Sequence, residues 1–334
     1  RIPRSAGEAA YVEAAFGNVW LSTAVGFGVI AVGIVSAAAI LKGGVGYLMG
    51  FVPAPRPVLE VAVLIGLALL AMRGVRESLT AAAVLTALEI GGLLAVSAAG
   101  FSADTVMPIS EMLDLAALAA AGSLAVLAAT LLAFFAYVGF EDMVNMAEET
   151  VNPQRTMPIA ILTAVAITTV LYMLVSVAAL HAMPQSLLAE TERPLALVFT
   201  MSTGLSNAPI AAIAVAATLG GVLIQLIMVS RVLYGMAERR AWLSWFRVLH
   251  PVRRTPQRGT AIAAGIVLVL VLAALAPIDA LAEATSRFLL AIFIVVNAAL
   301  IALKRRGATP EGAPSAPMAV PVLGMATAAF LLFV

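Results

Sequence analysis

Long apolar runs follow one another along almost the whole chain. They cover residues 14–40, 57–73, 76–99, 122–150, 157–181, 209–238, 259–276, 284–303 and 319–334. A helix crosses the hydrocarbon layer of a bilayer with about 20 residues at 1.5 Å rise each. The runs therefore predict an all-α integral membrane protein with eight full transmembrane helices and part of a ninth. The second run is short, and the fourth and sixth are long; tilt, a break or an extension beyond the bilayer absorbs the excess. Only 11% of the 334 residues are charged and mean hydropathy is +1.07. A soluble domain carries about 25% charged residues, so a soluble two-domain reading of this length is excluded.

Lysine and arginine set the expected orientation. With the first residue on the cytoplasmic side, the inner segments hold fifteen of these residues, from Arg1 and Arg4 to Lys304, Arg305 and Arg306. The outer segments hold four: Lys42, Arg56, Arg193 and Arg287. That asymmetry follows the positive-inside rule and points to a cell-membrane protein. Gly43-Gly44 and the proline-rich 53–57 read as an outer turn region. The outer stretch 100–121, with Asp104, Glu111 and Asp114, reads as a solvated acidic face. Pro194 to Met201 reads as a short helix over an entrance, a candidate lid. Residues 304–318 read as a cytoplasmic linker. The chain starts at Arg1 and stops inside an apolar run, and both ends read as cut.

The absence of cysteine excludes disulfides and thiolate metal sites. His181 and His250 are far apart, and no nucleotide-binding loop or nucleophile–base pair is visible. The expectation is no enzyme, no cofactor, no metal and no nucleic-acid partner. Oligomeric state is left open.

Polar residues inside the apolar runs narrow the function. Charge near the bilayer centre is costly, so it is shielded by protein and commonly functional. Glu89 lies about 16–20 Å from either end of its run. Glu141-Asp142 follow Phe134-Phe135-Ala136-Tyr137-Val138-Gly139-Phe140, an aromatic–glycine stretch that should interrupt the fourth helix. Glycine costs about 1 kcal/mol relative to alanine within a helix and permits unusual backbone angles. Unwound backbone at membrane depth is tolerated only within protein or around water. A break here would open the carbonyls of Ala136, Tyr137 and Val138 to an ammonium group. The plainer alternative is that Gly139 merely lets helices pack closely. Gln225 reads as packing glue or a pathway residue, and Arg231 as a side chain reaching the inner surface.

The stretch from Phe134 to Glu141, continuing to Ala147-Glu148-Glu149 and Asn152-Pro153-Gln154-Arg155-Thr156-Met157-Pro158, resembles the signature of amino acid permeases of the amino acid–polyamine–organocation superfamily. Ser230 to Ala237 with Thr255-Pro256, and Gly74-Val75-Arg76-Glu77-Ser78, resemble further family segments. The resemblance implies a bundle of two inverted five-helix repeats with substrate between two broken helices. On that plan the chain lacks the first two transmembrane helices. Residues 1–121 would be the remainder of the first repeat, 122–303 the second repeat, and 304–334 a linker with the start of a further helix.

The implied function is secondary active transport of amino acids by alternating access, proton-coupled or by exchange. The resemblance makes Phe135, Ala136, Tyr137, Val138, Gly139, Phe140 and Glu141 the substrate-binding residues. Phe135 would act as a gating aromatic. Asn152-Pro153 would end the cytoplasmic half-helix, with Arg155 paired to inner acids. Glu89 is the ion-coupling candidate, carrying a proton or, less favourably, contributing to a sodium site; a purely structural glutamate is the third reading. The competing function is a sensor or a truncated, inactive permease.

Overall fold

A computed structural model describes residues 7–74, 79–112, 123–144, 150–272, 277–307 and 316–333. Among them there is no strand. The helices relevant to the site are α1 (Gly7–Phe16), α2 (Val19–Leu48), α3 (Arg56–Arg73), α4 (Leu79–Ser102), α5 (Ser123–Phe135) and α6 (Pro153–Ala182). They continue with α7 (Pro194–Thr203), α8 (Ala208–Arg239), α9 (Gln257–Leu272), α10 (Ile278–Arg305) and α11 (Ala319–Leu332). Five of these are long and apolar enough to cross a membrane, within α2, α4, α6, α8 and α10. Parts of α5, α7, α9 and α11 are apolar but shorter. The all-α membrane class expected from the sequence is present.

Several boundaries differ from the expected ones. The run at 14–40 is two helices, because Gly17 takes a positive φ of 64° and Asn18 caps α2, accepting from the Leu21 N–H at 3.0 Å. An asparagine oxygen there satisfies one of the orphan donors of a helix start. Gly43-Gly44 form no turn; α2 continues through them to Leu48. Asn152-Pro153 begin α6, with Asn152 at φ 52° and Pro153 in the first helical turn, where its missing N–H costs nothing; the expected half-helix before them falls largely outside the described residues.

The core is built on α2, which packs along α8, α10, α3 and α9. Side-chain absence explains how closely α2 and α8 approach. A Cβ on Gly33 would fall 2.5 Å from Val229 Cγ2, and one on Gly44 would fall 2.4 Å from Thr218 Oγ1. Without a hydrophobic drive between helices in lipid, such close backbone approach gains dispersion contacts. A second group joins α4, α6 and α7. There a Cβ on Gly100 would fall 2.6 Å from the Ala178 carbonyl oxygen. The apolar run 194–201 is indeed a short helix, with Ala196 and Val198 buried. At one end of the bundle Arg56 pairs with both Glu60 and Glu192 and donates to the Lys42 carbonyl. At the other, Arg240 joins the end of α8 to Glu13 (2.9 Å) and Thr23 (3.1 Å).

Candidate substrate and ion site

Helix α5 stops at Phe135. Residues 136–140 form a turn and 141–144 a single 3₁₀ turn. The N–H groups of Tyr137 and Val138 reach back only three residues, to Phe134 and Phe135 at 3.0 Å each. Gly139 then takes φ 122°, a conformation an L-residue reaches only with strain. A Cβ there would meet nothing within 4 Å, so the backbone angle rather than space demands glycine. The Gly139 N–H donates to Glu141 Oε2 at 2.8 Å. The acid two residues on thus fastens the turn by accepting a backbone hydrogen bond.

Rings hold both sides of the break. Phe134 and Phe140 contact the Phe293 ring on α10 at centroid distances of 6.2 Å and 5.9 Å. Tyr137 meets Tyr172 on α6 edge-on at 5.5 Å. Phe135 packs against the main core around α2 and α8. On α10, buried Ser286 donates to the Leu131 carbonyl at 2.7 Å, anchoring the last turns of α5.

The carbonyls are not all open. Tyr172 Oη donates to the Ala136 carbonyl at 3.0 Å, so one of the three expected acceptors is engaged by the protein itself. Glu89 on α4 is half-buried and lies within electrostatic reach of Tyr172. It is not among the residues lining the cavity at Glu141. The two acidic features that stand out in the sequence therefore belong to different neighbourhoods, linked through Tyr172. Arg155 is exposed and makes no ion pair among the described residues. Glu148, Glu149, Arg76, Glu77, Ser78 and Asp114, with Arg1, Arg4 and most of the 304–318 linker, lie outside the described residues.

The cavity at the break holds a residue the sequence reading passed over. Glu8, at the start of α1, joins Glu141 and Asp142 in its wall, with Gln225 from α8. Gln225 Nε2 donates to Asp142 Oδ2 at 3.0 Å, so this glutamine both crosses between elements and lines the cavity. Helix α1 starts directly against the 3₁₀ turn: a Cβ on Gly7 would fall 3.0 Å from Val144 Cγ1. Glu8 is 7% exposed and its Oε2 is buried without a hydrogen-bond partner among the described residues. Burial pushes the Glu8 carboxyl up to about 7, against the pull of its own backbone N–H and with help from Asp142. Its only sequence signal is an acid set among small and apolar residues, Gly7-Glu8-Ala9-Ala10, in a segment too short to count as a span.

Comparison with known proteins gives the family. The family model described as amino acid permease matches residues 1–334. An uncharacterised transporter of Mycobacterium tuberculosis is 28% identical over all 334 residues, which cover 72% of that protein. The branched-chain amino acid permease BcaP of Bacillus subtilis is 29% identical over 62% of this chain and 44% of its own length. The chloroplastic cationic amino acid transporter 9 of Arabidopsis thaliana is 35% identical over 55% of this chain and 32% of its own. Matched over its full length, this membrane chain belongs to the amino acid permease family, and it is a transporter of that family rather than an enzyme.

Proposed function

We propose that the protein is a secondary active carrier that moves an amino acid across the cell membrane by alternating access. The observation that carries this reading is the interruption of α5 at Phe135–Phe140, set among aromatic rings and buried carboxylates inside an apolar bundle. A broken helix offers peptide dipoles where a lipid-facing helix offers none. The substrate ammonium meets the carbonyls of Tyr137 and Val138, and that of Ala136 once Tyr172 gives it up. Phe135 and Phe140 flank the site as gates, Gly139 supplies the backbone angle, and Glu141 holds the turn. Residues 1–121 and 122–303 act as parts of two inverted repeats, and α7 serves as a lid. The first residue lies on the cytoplasmic side, in keeping with the lysine and arginine bias.

The driving force is a proton or the exchange of one substrate for another. Relatives named for branched-chain and for cationic amino acids make leucine and arginine the two probes to try first. The test is uptake of labelled leucine and arginine into liposomes carrying the protein, with an imposed pH gradient, with preloaded substrate, and with neither. Accumulation in either of the first two conditions supports the carrier. Saturable binding with no accumulation in any condition replaces it with a sensor.

A further inference from the structure

Glu8, Glu141 and Asp142 come from segments more than 130 residues apart, as their numbers show, yet they share one cavity wall. No lysine, arginine or histidine is among its described lining residues. Helices α2 and α10 contribute only apolar side chains and Gly33 to it. The other titratable groups nearest the site on α1 and α8 are Tyr11, Glu13 and Arg231. Tyr11 lies beside Glu8, Glu13 is held by Arg239 and Arg240, and Arg231 of α8 is outside the lining. Gln225 serves Asp142 and the Gly139 N–H serves Glu141. Among the described residues, nothing serves Glu8 Oε2. Two buried carboxylates with half-buried Asp142 beside them, and no cation among the described lining residues, would cost several kcal/mol each in lost hydration if all were ionised, so the site favours a positive guest.

Size decides which guest. The cavity measures about 10 Å³, roughly one water molecule's need. An ammonium- or guanidinium-bearing side chain does not fit. Among the described residues no group of three or more acids, histidines or cysteines is arranged to hold a metal ion. We propose that Glu8, Glu141 and Asp142 form a proton-binding site that is loaded and emptied as the α5 turn opens and closes. Loading makes one O–H bond on a carboxylate oxygen, with the proton drawn from one aqueous phase. Release breaks that bond and delivers the proton to the other phase. The link to movement is Glu141: its protonation weakens the charge-assisted bond to the Gly139 N–H and so loosens the turn. Glu89 lies in a separate neighbourhood and is not needed for this step.

The proton site rests on the carrier reading only for the direction of proton release, and two measurements keep them apart. The first needs no transport: infrared difference spectra of the reconstituted protein between pH 5 and 9. The expected result is a protonated-carboxyl C=O band that titrates in wild type and in the exposed-site control Asp104→Asn, and is lost or reduced in Glu8→Gln. Glu8→Asp, which keeps a carboxyl, retains a band with a shifted midpoint and guards against a merely misfolded variant. The second is uptake of labelled leucine and arginine against pH, where Glu8→Gln flattens the profile by at least threefold across that range. An unchanged band in Glu8→Gln overturns the proposal. So does a selective loss of arginine uptake with the pH profile intact, which would make the cluster a substrate pocket. A titrating band in a protein that moves neither amino acid defeats the carrier reading and leaves the proton site standing.

Discussion

Gly139 offers the sharpest test of the broken helix. Its φ is 122°, and the Cβ of an alanine would meet no atom within 4 Å. Gly139→Ala therefore introduces backbone strain and nothing else. Holding an L-residue in such a region costs roughly 1–3 kcal/mol, which is about 5- to 150-fold in the population of the turn. The chain relieves the strain by shifting the turn toward helix, and the Gly139–Glu141 bond goes with it. Two other glycines isolate the effect. Gly91 in α4 has equal room and an ordinary φ, so Gly91→Ala gains up to about 1 kcal/mol of helix propensity. A Cβ on Gly100 would fall 2.6 Å from the Ala178 carbonyl oxygen, so Gly100→Ala costs roughly 1–3 kcal/mol by overpacking. Melting in detergent and initial uptake per folded molecule are the readouts. Gly100→Ala should lower the melting temperature, with uptake per folded molecule reduced less than in Gly139→Ala. Gly139→Ala should cut uptake at least fivefold, and Gly91→Ala should leave uptake unchanged with melting equal to or slightly above wild type. Wild-type melting and uptake in Gly139→Ala would show that the turn does not need its glycine, and the reasoning from φ would be wrong.

Tyr172→Phe removes the hydroxyl that donates to the Ala136 carbonyl, a loss of about 0.5–1.5 kcal/mol in stability. The freed acceptor should lower KM for amino acid uptake roughly two- to tenfold; an unchanged KM argues against Ala136 as a substrate contact. Arg56→Ala leaves buried Glu60 without its cation and detaches Glu192, and should cost about 1–3 kcal/mol, seen as a lower melting temperature that Arg56→Lys partly restores. Glu8 gives a pH prediction with a definite sign. Its carboxyl titrates near 7 when folded against an ordinary value of 4.5, so the folded protein binds the extra proton between these values. Its contribution to stability is fully present below about 4.5 and is lost as pH rises through about 7. Melting temperature measured from pH 5 to 8 should decline less steeply in Glu8→Gln than in wild type, and identical slopes would assign the decline to other groups.

The break at Gly139 was legible because its causes are local. A glycine between bulky aromatics weakens the helix at one point, and the acid two residues on supplies an acceptor for the freed N–H. The helical class was legible for the same kind of reason, since an apolar run in lipid must satisfy its own backbone. Other local signals misled. Gly43-Gly44 look like a turn, but their partner Thr218 lies on α8, and only that packing shows why α2 carries glycine there. The interruption at Gly17-Asn18 passed as part of one long run because the flanking residues are equally apolar, although the asparagine cap was there to be read.

The amino-acid sequence by itself determined an all-helical membrane chain, its family, and the place where one helix gives way. It did so because hydropathy, helix propensity and turn chemistry act over a few neighbouring residues. Tertiary structure alone decided which acids meet. Glu8 reaches Glu141 and Asp142, Gln225 reaches Asp142, and Tyr172 takes the Ala136 carbonyl, while Glu89 stands apart. Those encounters depend on the rotation and depth at which helices lock together. That is set by small-residue contacts between α2 and α8 and by Ser286 on α10, all far along the chain from the groups they bring into register.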